Sequence, residues 1–332
     1  MILTRTPFRL QLGGGSTDLP AYYEAHGGFI FAAAINLYMY ISVNRAPIDD
    51  LIRLKYSETE EVGSVSEIKN NFIRLALQHI GIGKRVEITS TADAPGGTGL
   101  GSSASFLVGL LNALHVLKGE KIAPEQLAEE GFEIAVRHLK LPDGKQDFYA
   151  AALGDFCVLE IVKDGKVDFR KANVSQKTRE EFEKRMLLFY SGIKRSSVDI
   201  LHEQQTRIRE ENDSAIELKH ETKRIGREIL SAFETDSLDK YGVLLHEHWG
   251  LKKKMSANMS SLLFDNLYER ARKKGALGGK IVGAGGGGFF MVFCQDGAQD
   301  AVREIYQEAN FKAVPFKVEA KGTQVLLNCH RD

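Results

Sequence analysis

Apolar and polar residues alternate over residues 2–12 with the two-residue period of a strand that buries one face. Residues 29–35, 37–43 and 85–91 read as further strands. An uncharged run, 27–44, has about the length of a membrane span. It opens on Gly27-Gly28, carries Asn36 in its middle and is rich in Ile, Phe and Tyr, which predicts two buried strands with a bend rather than a transmembrane helix. Helical spacing follows the glycine clusters. Residues 101–117 are apolar almost all round and stop at Lys118-Gly119, the pattern of a buried helix. Residues 124–139 open on Pro124, continue with acids and repeat Leu127, Phe132, Ile134 and Leu139 at helical spacing. After a strand over 186–190 the composition shifts: 197–274 is charged and helical, as in 213–233, with three glycines and no proline. The chain then returns to a strand (289–294), a helix (298–309) and strands over 312–318 and 323–328. Over 332 residues this predicts an α+β protein of two domains, 1–180 and 181–332.

Charge narrows the function. The 44 Lys and Arg are balanced by 44 Asp and Glu, so nothing marks a nucleic-acid or anionic-membrane footprint, and an anionic ligand must be held by local geometry. Cys157, Cys294 and Cys329 are far apart and lack CxxC spacing, which predicts reduced thiols rather than a metal or redox role. Residues 1–9 place Arg and Pro where a signal peptide needs an apolar core. The expectation is a cytoplasmic protein, with no sequence signal for its oligomeric state. Glycine is in excess and unevenly spread: 13–15, 96–101 and 275–288 hold three, four and eight of the 32 glycines.

The most informative of these stretches is Asp93-Ala94-Pro95-Gly96-Gly97-Thr98-Gly99-Leu100-Gly101-Ser102-Ser103-Ala104-Ser105. It follows a strand and opens into the apolar helix. Glycines let backbone N–H groups converge on an anion, and a helix N-terminus adds unpaired N–H groups and the positive end of its dipole. Pro95 to Ala104 are thus the expected nucleotide-phosphate cradle. The hydroxyls of Ser102 and Ser103 are placed to cap the helix, and Ser102 is the candidate ligand for Mg²⁺. The lysine of a Walker A loop is absent.

Pro95-x-x-x-Gly99-Leu100-Gly101-Ser102-Ser103-Ala104-Ser105 resembles the second motif of the GHMP kinase superfamily. Thr6-Pro7-Phe8-Arg9-Leu10-Gln11-Leu12-Gly13-Gly14-Gly15-Ser16-Thr17-Asp18-Leu19-Pro20 resembles its N-terminal substrate motif, in the version found among D-glycero-D-manno-heptose 7-phosphate kinases. Gly279 to Phe289 resembles the C-terminal glycine loop, and Gly144-Lys145-Gln146-Asp147 a fourth motif. The resemblance implies a ribosomal-protein-S5-like N-terminal domain, a ferredoxin-like C-terminal domain, and an ATP- and Mg²⁺-dependent kinase of a sugar or sugar phosphate.

Roles follow from the same resemblance. Asp147 would orient or deprotonate the acceptor hydroxyl, and Arg9 would neutralise charge near it. Gly14, Gly15, Ser16, Thr17 and Asp18 would meet the sugar, with Asp18 accepting two of its hydroxyls. Gly285 and Gly286 would support substrate and nucleotide or serve as a hinge. Lys145, Lys194 and Arg195 are contacts for a phosphate already on the sugar, or surface charges. One position departs from the pattern: where these kinases carry a Glu that binds Mg²⁺, this chain has Ala135. His246 and His248, two apart on a helix, face different sides and make no metal pair. The expected reaction is transfer to the anomeric hydroxyl of heptose 7-phosphate. The alternatives are another sugar, such as fucose, galactose or free heptose, or binding without turnover.

Overall fold

A computed structural model describes residues 1–193, 197–210, 213–256 and 258–329. The strands are β1 (Ile2–Gly13), β2 (Gly28–Arg45), β3 (Ile52–Lys55), β4 (Thr59–Val62), β5 (Val86–Ala92), β6 (Phe156–Ile161), β7 (Val167–Lys171), β8 (Met186–Tyr190), β9 (Ala276–Ile281), β10 (Phe289–Cys294), β11 (Lys312–Ala313) and β12 (Gln324–Asn328). The helices are α1 (Pro20–His26), α2 (Asn71–Ile80), α3 (Ser102–Leu117), α4 (Pro124–Phe132), α5 (Gln146–Leu153), α6 (Gln176–Arg185), α7 (Ser197–Arg209), α8 (Asp213–Glu234), α9 (Leu238–Met255), α10 (Leu262–Lys273) and α11 (Gln299–Glu308).

Two sheets organise the chain. The first runs β12-β1-β2-β5-β3-β4, with β6 and β7 joined to the other end of β2. The second runs β11-β8-β10-β9, all antiparallel, the 4-1-3-2 order of a ferredoxin-like sheet. The fold is therefore α+β, as the alternation of elements predicts. The core of the first sheet is covered by α3, apolar almost all round and buried from Ala104 to Leu117 apart from Val116. No helix among the described residues is long and apolar enough to cross a membrane.

Three elements depart from the sequence reading. The uncharged run is one strand, β2, not two: it pairs with β1 over Phe31–Val43, with β6 over Gly28–Ala33 and with β5 over Met39–Arg45. The bend is a bulge, where the register against β1 shifts between Pro7 and Phe8. Asn36 lies there, and its backbone N–H donates to Lys317 O while its Oδ1 accepts from Lys317 N. The expected strand over 312–318 keeps only Lys312–Ala313 in the second sheet. Beyond it the chain crosses back to the first sheet, bridging Val318 to Ile35 before β12 pairs with β1. A boundary near 180 falls within α6, and no single cut separates the two sheets. Finally, the expected helix over 124–139 stays α-helical to Phe132 and widens into a π-helical turn over Glu133–His138.

The two halves meet at a glycine contact. A Cβ on Gly226 of α8 would lie 2.6 Å from Gly14 N, and one on Gly13 would lie 2.9 Å from Gly226 Cα. Only glycine on both sides lets the α8 backbone rest on the turn that ends β1.

Candidate active site

Arg9 and Gln11 are two apart on β1 and present the same face. The 96–101 loop is fastened beside them, since Arg9 N–H donates to Leu100 O at 3.1 Å and Phe289 N–H to Thr98 O at 3.1 Å. These contacts bring the three glycine loops together around a cavity of about 300 Å³. Arg9, Gln11, Asp18, Asp143, Asp147 and Lys252 are among its lining.

Arg9 and Asp147 form a bidentate pair, Nε to Oδ1 at 2.7 Å and Nη2 to Oδ2 at 2.7 Å, while Arg9 Nη1 donates to Gly99 O at 2.5 Å. The arginine side chain is 5% exposed and that of Asp147 26%, so the carboxylate keeps an open side. A Cβ on Gly101 would stand 3.2 Å from Asp147 Oδ2 and 3.4 Å from Arg9 Cγ. The pair therefore sits against the N-terminus of α3, where Ser102 and Ser103 begin the helix. The helix is capped by Gly101 and not by a serine side chain. The two hydroxyls make no hydrogen bond among the described residues and remain available to a ligand.

Asp18 is wholly buried; its Oδ2 accepts Gln146 N–H at 2.9 Å and its Oδ1 accepts Gln146 Nε2 at 3.3 Å. It thus fixes the start of α5, one residue before Asp147. Any side chain on Gly144 would collide with the Asp18 carboxylate. Burial pushes the Asp18 carboxyl up to about 6. Asp143, which has no ion-pair partner among the described residues, is pushed up to about 7 by burial and then by the charges of Asp147 and Asp18. Gln146 Oε1 and Gln11 Nε2 are buried without partners.

The expected site residues divide. Arg9, Gly15, Ser16, Asp18, Gly97, Gly99, Gly101, Ser102, Ser103, Ala104 and Asp147 line the cavity. Pro95 and Gly96 line a neighbouring groove that shares Ser102 and Ser103. Thr98 and Leu100 point inward, 1% and 0% exposed. They serve through their carbonyls, and Thr98 Oγ1 donates to Pro95 O at 2.8 Å. Gly14 and Thr17 are structural: Thr17 Oγ1 lies 2.8 Å from both Gly14 O and Phe29 O and accepts Phe29 N–H at 3.0 Å, pinning the turn to β2. Lys145 is no phosphate contact, because its buried ammonium holds both oxygens of Glu129 at 2.5 and 2.6 Å, tying α5 to α4. Gly285 and Gly286 pack on Met259, with Gly286 N–H donating to Met259 O at 3.0 Å. Gly283 and Ala284 line the cavity instead. Arg195 and Lys194 lie outside the described residues. Ala135 is wholly buried in the core, and its methyl offers no donor atom in place of that glutamate.

The sequence reading missed Gln11, Asp143, Gln146, His248 and Lys252, all in the lining. Gln11 had a signal, its two-residue offset from Arg9 on one strand. Asp143 sits between Pro142 and Gly144 in a loop whose path only the tertiary fold sets.

The pattern described as GHMP kinases N terminal domain matches residues 67–155, and that described as GHMP kinases C terminal matches 229–312. The chain is 26% identical to D-glycero-alpha-D-manno-heptose 7-phosphate kinase of Campylobacter jejuni over 303 residues, 88% of this chain and 89% of that protein. It is 26% identical to the galactokinase of Pyrococcus furiosus, over 96% and 97% of the two chains. In fold it is similar to a D-glycero-D-manno-heptose 1-phosphate kinase from Bacteroides thetaiotaomicron, with a TM-score of 0.83 at 24% identity over 99% of this chain and 100% of that one. With both domain patterns matched in order, the chain belongs to the GHMP kinase family, phosphotransferases with an alcohol group as acceptor.

Proposed function

We propose that this kinase transfers the γ-phosphoryl group of ATP to a sugar, the anomeric hydroxyl of D-glycero-D-manno-heptose 7-phosphate, giving the 1,7-bisphosphate. One observation carries the transfer: a bidentate Arg9–Asp147 pair resting against the N-terminus of α3. The helix N-terminus and the 96–101 backbone suit the nucleotide phosphates. Asp147 keeps a free lone pair on each oxygen, which accepts the hydrogen of the attacking hydroxyl. The hydroxyl oxygen then bonds to the γ-phosphorus as the β–γ bridging bond breaks, and ADP leaves. Arg9 offsets the charge gathered at that point.

Mg²⁺, when bound with the nucleotide, neutralises its β- and γ-phosphates. The residues of this chain that would hold it are Ser102, through Oγ, and Asp143, whose carboxylate has no ion-pair partner among the described residues; both line the cavity. Among the described residues no cluster of three or more acidic, His or Cys side chains forms a self-sufficient metal site. Asp143 is thus our candidate for the charge that Ala135 no longer supplies. Asp143→Asn should weaken Mn²⁺ binding in the presence of a non-hydrolysable ATP analogue, read by electron paramagnetic resonance, and leave metal-free nucleotide affinity unchanged. Handling ATP and a sugar phosphate, the enzyme belongs in the cytoplasm.

The substrate is tested by ATP consumption over heptose 7-phosphate, heptose 1-phosphate, free heptose, galactose and fucose. ³¹P NMR of the product then reports the position phosphorylated. Turnover of heptose 7-phosphate with a new anomeric phosphate supports the reading. Preference for another acceptor, or thermal stabilisation by ligand without turnover, contradicts it.

A further inference from the structure

The cavity wall built by α9 and the 282–288 loop carries polar groups that phosphoryl transfer at Arg9 and Asp147 does not use. His248 is 2% exposed, and neither ring nitrogen has a hydrogen-bond partner among the described residues. One helical turn further on, Lys252 is 5% exposed. Its ammonium donates to two backbone carbonyls, Ile281 O at 2.9 Å and Gly283 O at 2.5 Å. Behind them on β9, the wholly buried Lys280 donates to Gln11 Oε1 at 2.8 Å and to Leu12 O at 3.5 Å. Because an ammonium only donates, this bond fixes Oε1 as the atom facing Lys280 and leaves Gln11 Nε2 a buried donor without an acceptor. No carboxylate among the described residues pairs with Lys252, Lys280 or His248.

Buried cations without a counter-charge are costly, and two such ammoniums beside the unpartnered Gln11 Nε2 and His248 ring, with no carboxylate paired to any of them, fit an oxyanion better than a neutral hydroxyl. Burial and then the neighbouring cations hold Lys252 down to about 7 and His248 well below its usual value, the signature of a site short of negative charge. Two phosphate sources exist, the acceptor and the nucleotide. Gln11 favours the acceptor. It packs on Gly15 of the first glycine turn, where a Cβ would stand 2.6 Å from its Oε1. It also lies about 7 Å along β1 from Arg9, a separation that one sugar unit spans. The groove beside the 96–101 loop, lined by Pro95, Gly96, Ser102 and Ser103, has no member of the cation cluster in its wall.

We propose that Lys252, His248 and Gln11, the last positioned by Lys280, form a subsite for the phosphate that the acceptor sugar carries into the cavity. The proposal rests on the reading of the substrate as a phosphorylated sugar. Its test uses the full-length protein and two probes. Inorganic phosphate at constant ionic strength should raise the melting temperature of the wild type, and Lys252→Met and His248→Leu should each remove most of that shift. In steady-state kinetics each variant should raise KM for heptose 7-phosphate roughly tenfold or more, the loss of one charge-assisted hydrogen bond, with KM for ATP within about twofold of wild type. A matching rise in KM for ATP would assign the cations to the nucleotide and overturn the proposal. So would a phosphate-induced shift that survives in both variants, which would locate the anion at the α3 N-terminus. If heptose 7-phosphate is not turned over at all, the substrate reading fails, and the subsite still stands or falls on the phosphate-induced shift.

Discussion

Lys252 shows what a binding residue costs its fold. Its ammonium is held at about 7 against an ordinary 10.5, so between those values the unfolded chain binds more protons than the folded one. Stability contributed by this group therefore rises with pH from about 7 to about 10, and the full cost, on the order of 4–5 kcal/mol, applies below 7. Lys252→Met should raise the melting temperature near pH 7, with the gain shrinking toward about pH 10; a variant that melts lower at neutral pH would contradict the assignment. Asp143 runs the other way. Its carboxyl is raised from 3.8 to about 7, so its contribution is present below 3.8 and lost as pH rises through 7. Asp143→Asn should thus stabilise the protein at pH 7 by on the order of 3 kcal/mol and change little at about pH 4, as denaturant melts at the two values would report.

At the scale of elements, the site depends on α8 lying on the turn that follows β1. A methyl group on Gly226 meets the backbone of Gly14, which cannot yield as a side-chain tip can. Gly226→Ala should cost about 1–3 kcal/mol in urea melts and raise KM for the sugar more than KM for ATP. Gly250, in α9, has open space within 4 Å of where a methyl group would stand and serves as the opposite control. There Ala should stabilise the helix by roughly 0.5–1 kcal/mol. The strands β1, β5, β8 and β10 and the helices α3, α8 and α11 were legible because period and breakers agree over each of them. Asn36 was not legible as a bulge, since its partner, Lys317, lies 281 residues away. The π-helical turn after Phe132 carries no local breaker that would announce it.

For the whole molecule, equal numbers of acidic and basic residues conceal an uneven distribution. The cavity gathers Asp18, Asp143 and Asp147 with Arg9, while Lys252 and His248 line the wall supplied by the second half of the chain. The first set was largely readable, because Arg9, Asp18 and Asp147 stand in short motifs whose glycines fix the backbone. The second was not, because 197–274 reads as charged helix and charge alone does not say which side faces inward. The buried stripe of α9 does say it: Tyr241, Leu245, His248, Lys252 and Met255 recur at helical spacing, so His248 and Lys252 belong to the core face. In the proposed mechanism Asp147, held by Arg9 against the α3 N-terminus, handles the acceptor hydroxyl. The most direct test compares kcat with the affinity for a non-hydrolysable ATP analogue in Asp147→Asn, after a melt has verified that the variant is folded. The expected result is a fall in kcat of roughly 10²- to 10⁴-fold with nucleotide affinity within about twofold of wild type; an Asn variant turning over at close to the wild-type rate would contradict that role for Asp147.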